Sequence, residues 1–199
     1  FIYNRNLYIK FLKNNVIKQI TFSGSENILN GIADWVYEEE FGMVRAFDWD
    51  KDSNNLAYIV FDETDVPEYS MKIFGNNLYP FQYNFKYPKA GEINSRLDLK
   101  IYNLENEETN FVDLNKNAND YYYIPRLKFS TYSNKLYIQS LNRLQNKLIL
   151  STYDLDSKMI KTVFEEKDDT YVDIQEKLFL LDNDDFLWIS DRSGFDHIY

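Results

Sequence analysis

The chain has 199 residues, enough for one sizeable domain and too few for two comfortable ones. Hydrophobic residues make up 44% of it, so a core can form, yet no apolar run approaches the ~20 residues of a membrane-spanning helix. A net charge of −10 without any basic stripe argues against a free-standing nucleic-acid binder. The absence of Cys excludes disulfides and thiolate chemistry, and the single histidine, His197, excludes a multi-His metal site.

Aromatic residues reach 18%, led by 17 Tyr and 15 Phe, and favour strands over helices. From the N-terminus, Leu7, Ile9 and Phe11 alternate with Tyr8, Lys10 and Leu12 before a turn at Lys13-Asn14-Asn15. Residues 30–41 (NGIADWVYEEEF) break the strand pattern and predict a helix. Leu56 to Phe61 form a continuous apolar run that predicts a strand buried on both faces. Leu97, Leu99 and Ile101, then Leu136 and Ile138, then Leu148, Leu150 and Thr152, each mark a further strand, and Phe186 to Ile189 a short buried one. Polar turn clusters lie at 50–55, 103–108, 132–134, 154–158 and 182–185.

A weak repeat runs through these strands. Phe47-Asp48-Trp49, a polar turn and Leu56-Ala57-Tyr58 resemble Leu127-Lys128-Phe129, a turn and Leu136-Tyr137-Ile138. They also resemble Leu178-Phe179-Leu180, a turn and Phe186-Leu187-Trp188. Blade repeats of roughly 40–50 residues mark β-propellers, but the uneven intervals leave a sandwich open. A propeller reading gives about four blades, and such a partial ring would leave open strand edges. The native protein is therefore expected to continue beyond both ends.

Placed on a helix at about 100° per residue, Ile32, Trp35 and Val36 share one face. Glu39 then falls in the middle of that face, Glu40 on its flank and Glu38 on the opposite side. A carboxylate on an apolar stripe is costly unless paired, and a second one beside it raises the cost. A cation between the two relieves both penalties, and an α-ammonium group, with its three N–H donors, suits that role. Two other readings stay open: a solvated acidic face, and a metal site from Asp34, Glu39 and Glu40, which lacks a histidine or a glycine-bearing calcium loop.

The same segment, Asp34-Trp35-Val36-Tyr37-Glu38-Glu39-Glu40, resembles the glutamate motif of the dipeptidyl peptidase IV family. The resemblance extends to Asn30-Gly31-Ile32, Phe61 to Ser70, Tyr87-Pro88-Lys89-Ala90-Gly91, Leu141 to Asn146 and the closing Ser190 to Tyr199. It implies an all-β fold: a fragment of a β-propeller, about four blades of a ring of about eight, with one short helix carrying the glutamates. Residues 1–199 would then be part of an N-terminal propeller domain, and the catalytic α/β-hydrolase domain would be absent from this chain.

By the same resemblance, Glu39 and Glu40 bind the free amino-terminus of a peptide substrate, and dipeptides ending in Pro or Ala are released. No cofactor is implied. The implied partners are the peptide, the C-terminal hydrolase domain of the same chain and a second copy in a homodimer; the implied location is periplasmic or cell-surface. No catalytic residue is assigned, because Ser23-Gly24-Ser25 does not fit a Gly-x-Ser-x-Gly elbow and His197 reads as structural. Prolyl tripeptidyl peptidases keep one acid at the clamp, whereas both are present here, although Glu40-Phe41-Gly42 resembles them. An acylpeptide hydrolase relative and a non-catalytic ligand-binding propeller also stay open.

Overall fold

The structure, a computed structural model, describes residues 1–114, 122–176 and 178–199. In chain order its strands are β1 (Ile2–Tyr3), β2 (Asn6–Lys10), β3 (Ile17–Gln19) and β4 (Ile28–Asn30), followed by helix α1 (Trp35–Phe41). Then come β5 (Phe47–Trp49), β6 (Asn55–Asp62), β7 (Glu68–Ile73), β8 (Phe81–Lys86), β9 (Arg96–Asn103) and β10 (Thr109–Val112). The last strands are β11 (Tyr123–Phe129), β12 (Lys135–Leu141), β13 (Lys147–Asp154), β14 (Ile160–Lys167), β15 (Phe179–Leu180), β16 (Phe186–Leu187), β17 (Ile189–Ser190) and β18 (His197–Ile198). The chain divides into two compact units, one of residues 1–46 and 59–98, the other of 47–58 and 99–199.

In the first unit, β1 and β2 pair with Tyr3 opposite Asn6, so Asn4 and Arg5 alone form the turn. Both take left-handed backbone angles (φ 46° and 59°), which match the twist of a two-residue hairpin. A polar knot anchors this hairpin. Asn6 Oδ1 accepts from Thr21 Oγ1 and from the Gly24 N–H, and the Arg5 carbonyl accepts from both the backbone N–H and the side-chain amide of Asn30. Asn30 belongs to β4, which pairs with the end of β6, Leu29 facing Phe61.

Strands β7 and β8 form a hairpin in which every partner on one face is apolar. Tyr69 faces Phe85, Met71 faces Tyr83 and Ile73 faces Phe81, while Ser70, Lys72, Gln82 and Asn84 take the alternate positions. The period of two sorts these side chains onto opposite faces. Tyr69, Phe85 and Tyr87 lie 5.5 to 5.9 Å apart, ring centre to ring centre.

In the second unit, strands pair antiparallel with their neighbours in sequence: β5 with the start of β6, β9 with β10, β11 to β14 in order, β15 with β16, and β17 with β18. The inner strands β12 and β13 are buried on both faces, and Leu136, Ile138, Leu148 and Leu150 are wholly inaccessible. Strand β14, at the margin of the same sheet, is largely exposed. The β6 run from Leu56 to Phe61 is buried throughout, as its unbroken apolar sequence predicts.

The repeat read from sequence is a repeat of hairpins. Trp49 pairs with Leu56 and Phe129 with Leu136, so the turns 50–55 and 130–135 have equal length. Each is stitched by its first residue. Asp50 Oδ1 accepts from the N–H groups of Asn54 and Asn55, and Ser130 Oγ from those of Tyr132 and Ser133. The third hairpin, Leu180 opposite Phe186, is one residue shorter. The apolar run 186–189 is interrupted at Trp188, which is 1% exposed and separates β16 from β17.

Candidate functional site

Helix α1 is an excursion between β4 and β5 with a closed base. Ile32 bridges Arg45, the Ala33 N–H donates to Val44 O, and the Ala46 N–H donates to Gly31 O at 2.9 Å. Asp34, in extended conformation (φ −78°, ψ 178°), caps the N-terminus: its Oδ1 accepts from the Tyr37 N–H at 2.9 Å. Asp is among the residues best suited to that position, because a short acceptor satisfies an orphan donor of the first turn. Gly42 ends the helix in the left-handed region (φ 59°) with its N–H on Tyr37 O, a conformation that costs any residue with a Cβ.

The buried face of α1 consists of Val36, Tyr37 and Phe41. Tyr37 stands edge-on to Phe41 at 5.2 Å and to Phe61 at 4.8 Å. Trp35, half-buried, packs on Tyr87 at 4.3 Å.

This geometry corrects the wheel drawn from sequence. The helix begins only at Trp35, so Ile32 lies in the bridge at its base and contributes nothing to the helical face. The apolar face is therefore centred on Tyr37 and Phe41, and Glu39 falls one turn beyond Trp35 at the edge of the packed side. Glu38, Glu39 and Glu40 are all exposed. Neither Glu39 nor Glu40 has a hydrogen bond or ion pair among the described residues. Both acids stand on a two-turn helix fastened at each end, in the same last turn, with their acceptor oxygens open to a ligand.

Two further carboxylates lie buried at this site: Asp34, which the sequence offered only as a possible metal ligand, and Glu63, which it did not single out. Asp34 is 5% exposed and Glu63, just after β6, is 7% exposed. Burial raises the Asp34 carboxyl above its ordinary value, against hydrogen bonds from Ser95, Tyr37 and Val36 that favour its ionised form. Burial, and then the charge of Asp34, push Glu63 up to about 7, while Arg5 and Lys86 oppose the shift. The signal for Asp34 was its place as an N-cap before an apolar turn; Glu63 carried none, since its burial comes from distant chain segments.

Among the described residues no group of acidic or histidine side chains could hold a metal, so Asp34, Glu39 and Glu40 do not converge as ligands. Asp34 points its oxygens into the helix end and onto Ser95 instead. His197 lies exposed on β18, opposite Ser190 of β17.

A family model described as the dipeptidyl peptidase IV (DPP IV) N-terminal region matches residues 1–199. A probable dipeptidyl-aminopeptidase B of Podospora anserina is 32% identical over 178 residues, covering 83% of this chain and 19% of the relative. The human prolyl endopeptidase FAP is 35% identical over 162 residues, covering 77% of this chain and 21% of its own length. The crystal structure of Porphyromonas gingivalis dipeptidyl peptidase 4 superposes on the whole chain with a TM-score of 0.92 and 37% identity, and the chain covers 28% of it. The fold is thus all-β, a β-propeller fragment with one short helix, and the chain spans only 19% to 28% of the relatives it matches.

Proposed function

This chain belongs to the family of dipeptidyl peptidase IV N-terminal regions, and from that premise we propose that it is the substrate-gating propeller of a serine exopeptidase. Glu39 and Glu40 bind the free amino-terminus of a peptide, and the α/β-hydrolase domain of the full-length protein supplies the nucleophile. Dipeptides of the form X-Pro or X-Ala are released. The observation that supports this reading is the pair itself: two adjacent carboxylates, without a partner among the described residues, on a helix capped at both ends by Asp34 and Gly42.

The chemistry follows from complementarity. An α-ammonium offers three N–H donors, and charge-assisted bonds to carboxylates are among the stronger hydrogen bonds in proteins. Anchoring that group sets the distance along the extended peptide to the reacting carbonyl, so the second peptide bond is placed at the nucleophile. Orientation of this kind can supply several kcal/mol of barrier reduction, about 7–11 in the best intramolecular cases. A periplasmic or cell-surface location and a homodimer complete the proposal, and are checked by cell fractionation and by light scattering.

The test uses the full-length protein with Gly-Pro-p-nitroanilide. Glu39→Gln and Glu40→Gln are expected to lower kcat/KM strongly while the fold is kept; unchanged kinetics in both variants would remove the amine clamp. A second reading is favoured by the likeness to human FAP, which is named a prolyl endopeptidase. Equal hydrolysis of the N-acetylated substrate would select internal cleavage over amino-terminal release.

A further inference from the structure

We propose that Ser95 is a positioning residue for the glutamate pair: through its hydrogen bond to Asp34 it holds helix α1 in the orientation that aims Glu39 and Glu40 together. The inference rests on the amine-binding reading above and names what aims those carboxylates.

A helix of seven residues does not hold itself in water, because nucleation costs more than two turns return. Its direction is therefore set by the packing of Val36, Tyr37 and Phe41 and by what grips its ends. At the N-terminus that grip is Asp34 Oδ1 on the Tyr37 N–H. A lone cap can swing with its side chain, but Asp34 is held on its other oxygen as well: Ser95 Oγ donates to Oδ2 at 2.5 Å. Ser95 stands 61 residues later in the chain, immediately before β9, and is 8% exposed. A buried hydroxyl–carboxylate bond of this kind is charge-assisted when the carboxylate is ionised, and burial shields it from water.

The segment that delivers Ser95 touches the helix a second time. It begins at Tyr87, whose ring lies 4.3 Å from that of Trp35. Residues 87–95 thus meet α1 at two successive positions, 34 and 35, both at its N-terminal end. Glu39 and Glu40 lie about 8 Å further along the axis at 1.5 Å per residue, so a small rotation at the cap becomes a displacement of both carboxylates.

Charges around the pair make the hydroxyl hard to replace. Asp34 receives backbone bonds from Tyr37 and Val36, faces the buried Glu63, and has Ser95 as its only side-chain donor among the described residues. Glu63 in turn faces Arg5 and Lys86. Without Ser95, the buried Asp34 Oδ2 loses the one side-chain donor it has among the described residues, close to a second carboxyl. It is relieved by turning toward water or by taking a proton, and either loosens the bond to Tyr37.

The experiment compares Ser95→Ala and Ser95→Thr with Glu39→Gln in the full-length protein, using Gly-Pro-p-nitroanilide and following thermal unfolding by circular dichroism. Ser95→Ala is expected to raise KM about threefold to tenfold, the equivalent of one buried hydrogen bond. It should also move the acid limb of the KM–pH profile upward, since Asp34 loses a donor that favours its ionised form. Ser95→Thr should restore both. Wild-type KM and an unmoved pH limb in Ser95→Ala, with Glu39→Gln impaired, overturn the positioning role and leave the clamp standing. An unimpaired Glu39→Gln overturns the clamp reading itself. If Ser95→Ala does not fold, Ser95→Cys, with its weak donor, is expected at an intermediate KM, and a wild-type KM there overturns the proposal.

Discussion

Gln139 and Gln175 join two chain segments as a pair of β-strand residues would, with a side chain standing in for one backbone. Gln139 Nε2 donates to Gln175 O and its Oε1 accepts from the Gln175 N–H, both at 2.9 Å. The side chain of Gln175 repeats the device on Ile189, donating to its carbonyl and accepting from its N–H. Three segments of the second unit are thereby laced together by two amides. Gln139→Leu leaves the polar groups of residue 175 buried without partners, and is expected to lower stability by roughly 2–4 kcal/mol, read as a shift in the urea midpoint. A loss below about 0.5 kcal/mol would show that water replaces the amide.

Two glycines of the first unit should respond differently to alanine. A Cβ at Gly24 would come within 2.5 Å of Asn6 Nδ2 and 2.6 Å of Arg5 O, inside the polar knot that anchors the β1–β2 hairpin. Overpacking there is expected to cost about 1–3 kcal/mol. At Gly42 nothing lies within 4 Å of the added atom, so only the left-handed backbone (φ +59°) resists. Gly42→Ala is expected to cost about 1 kcal/mol and to fray the last turn of α1, where Glu39 and Glu40 sit. Chemical denaturation of both variants checks the order.

Glu63 gives a pH dependence with a defined sign. Its ordinary value of 4.5 becomes about 7 in the fold, chiefly through burial. The folded protein therefore keeps a proton that the unfolded chain releases as pH rises from 4.5 to about 7. The stability attached to this group is complete below pH 4.5 and is lost as pH climbs through about 7. Glu63→Gln is expected to remove that slope and to gain on the order of 2 kcal/mol at about pH 8. Parallel unfolding curves for wild type and variant at every pH from about 4 to about 8 would contradict the assignment.

The proposed ligand titrates too. A peptide α-amino group loses its proton around pH 8, and the neutral amine no longer complements two carboxylates. KM for Gly-Pro substrates is expected to rise above that pH in the wild-type full-length protein. The rise should flatten when Glu39 and Glu40 are both replaced by Gln, and its persistence in the double variant would place the titration elsewhere.

Much of the fold was legible in the chain because strand burial is a local pattern. The unbroken run Leu56–Phe61 became a strand buried on both faces, and the triplets at 47–49, 127–129 and 178–180 each opened a hairpin. Strands β7 and β8 are less legible, although Phe81, Tyr83 and Phe85 alternate with Gln82, Asn84 and Lys86. The hairpin lacks the Asn-Gly or Asp-Gly turn that usually announces one, since residues 74–80 connect it.

By itself the sequence determined that the chain is built of strands, that residues near 35–41 leave that pattern, and that Glu39 and Glu40 are neighbours there. Those properties follow from side-chain period and turn chemistry, which are written into adjacent residues. Only the tertiary structure decided that Tyr37 and Phe41, not Ile32, form the buried side of the helix. The same holds for Ser95, which reaches Asp34 across 61 residues, and for Glu63, buried beside it. Burial and partnership between distant segments depend on how the strands pack, and no local periodicity encodes them.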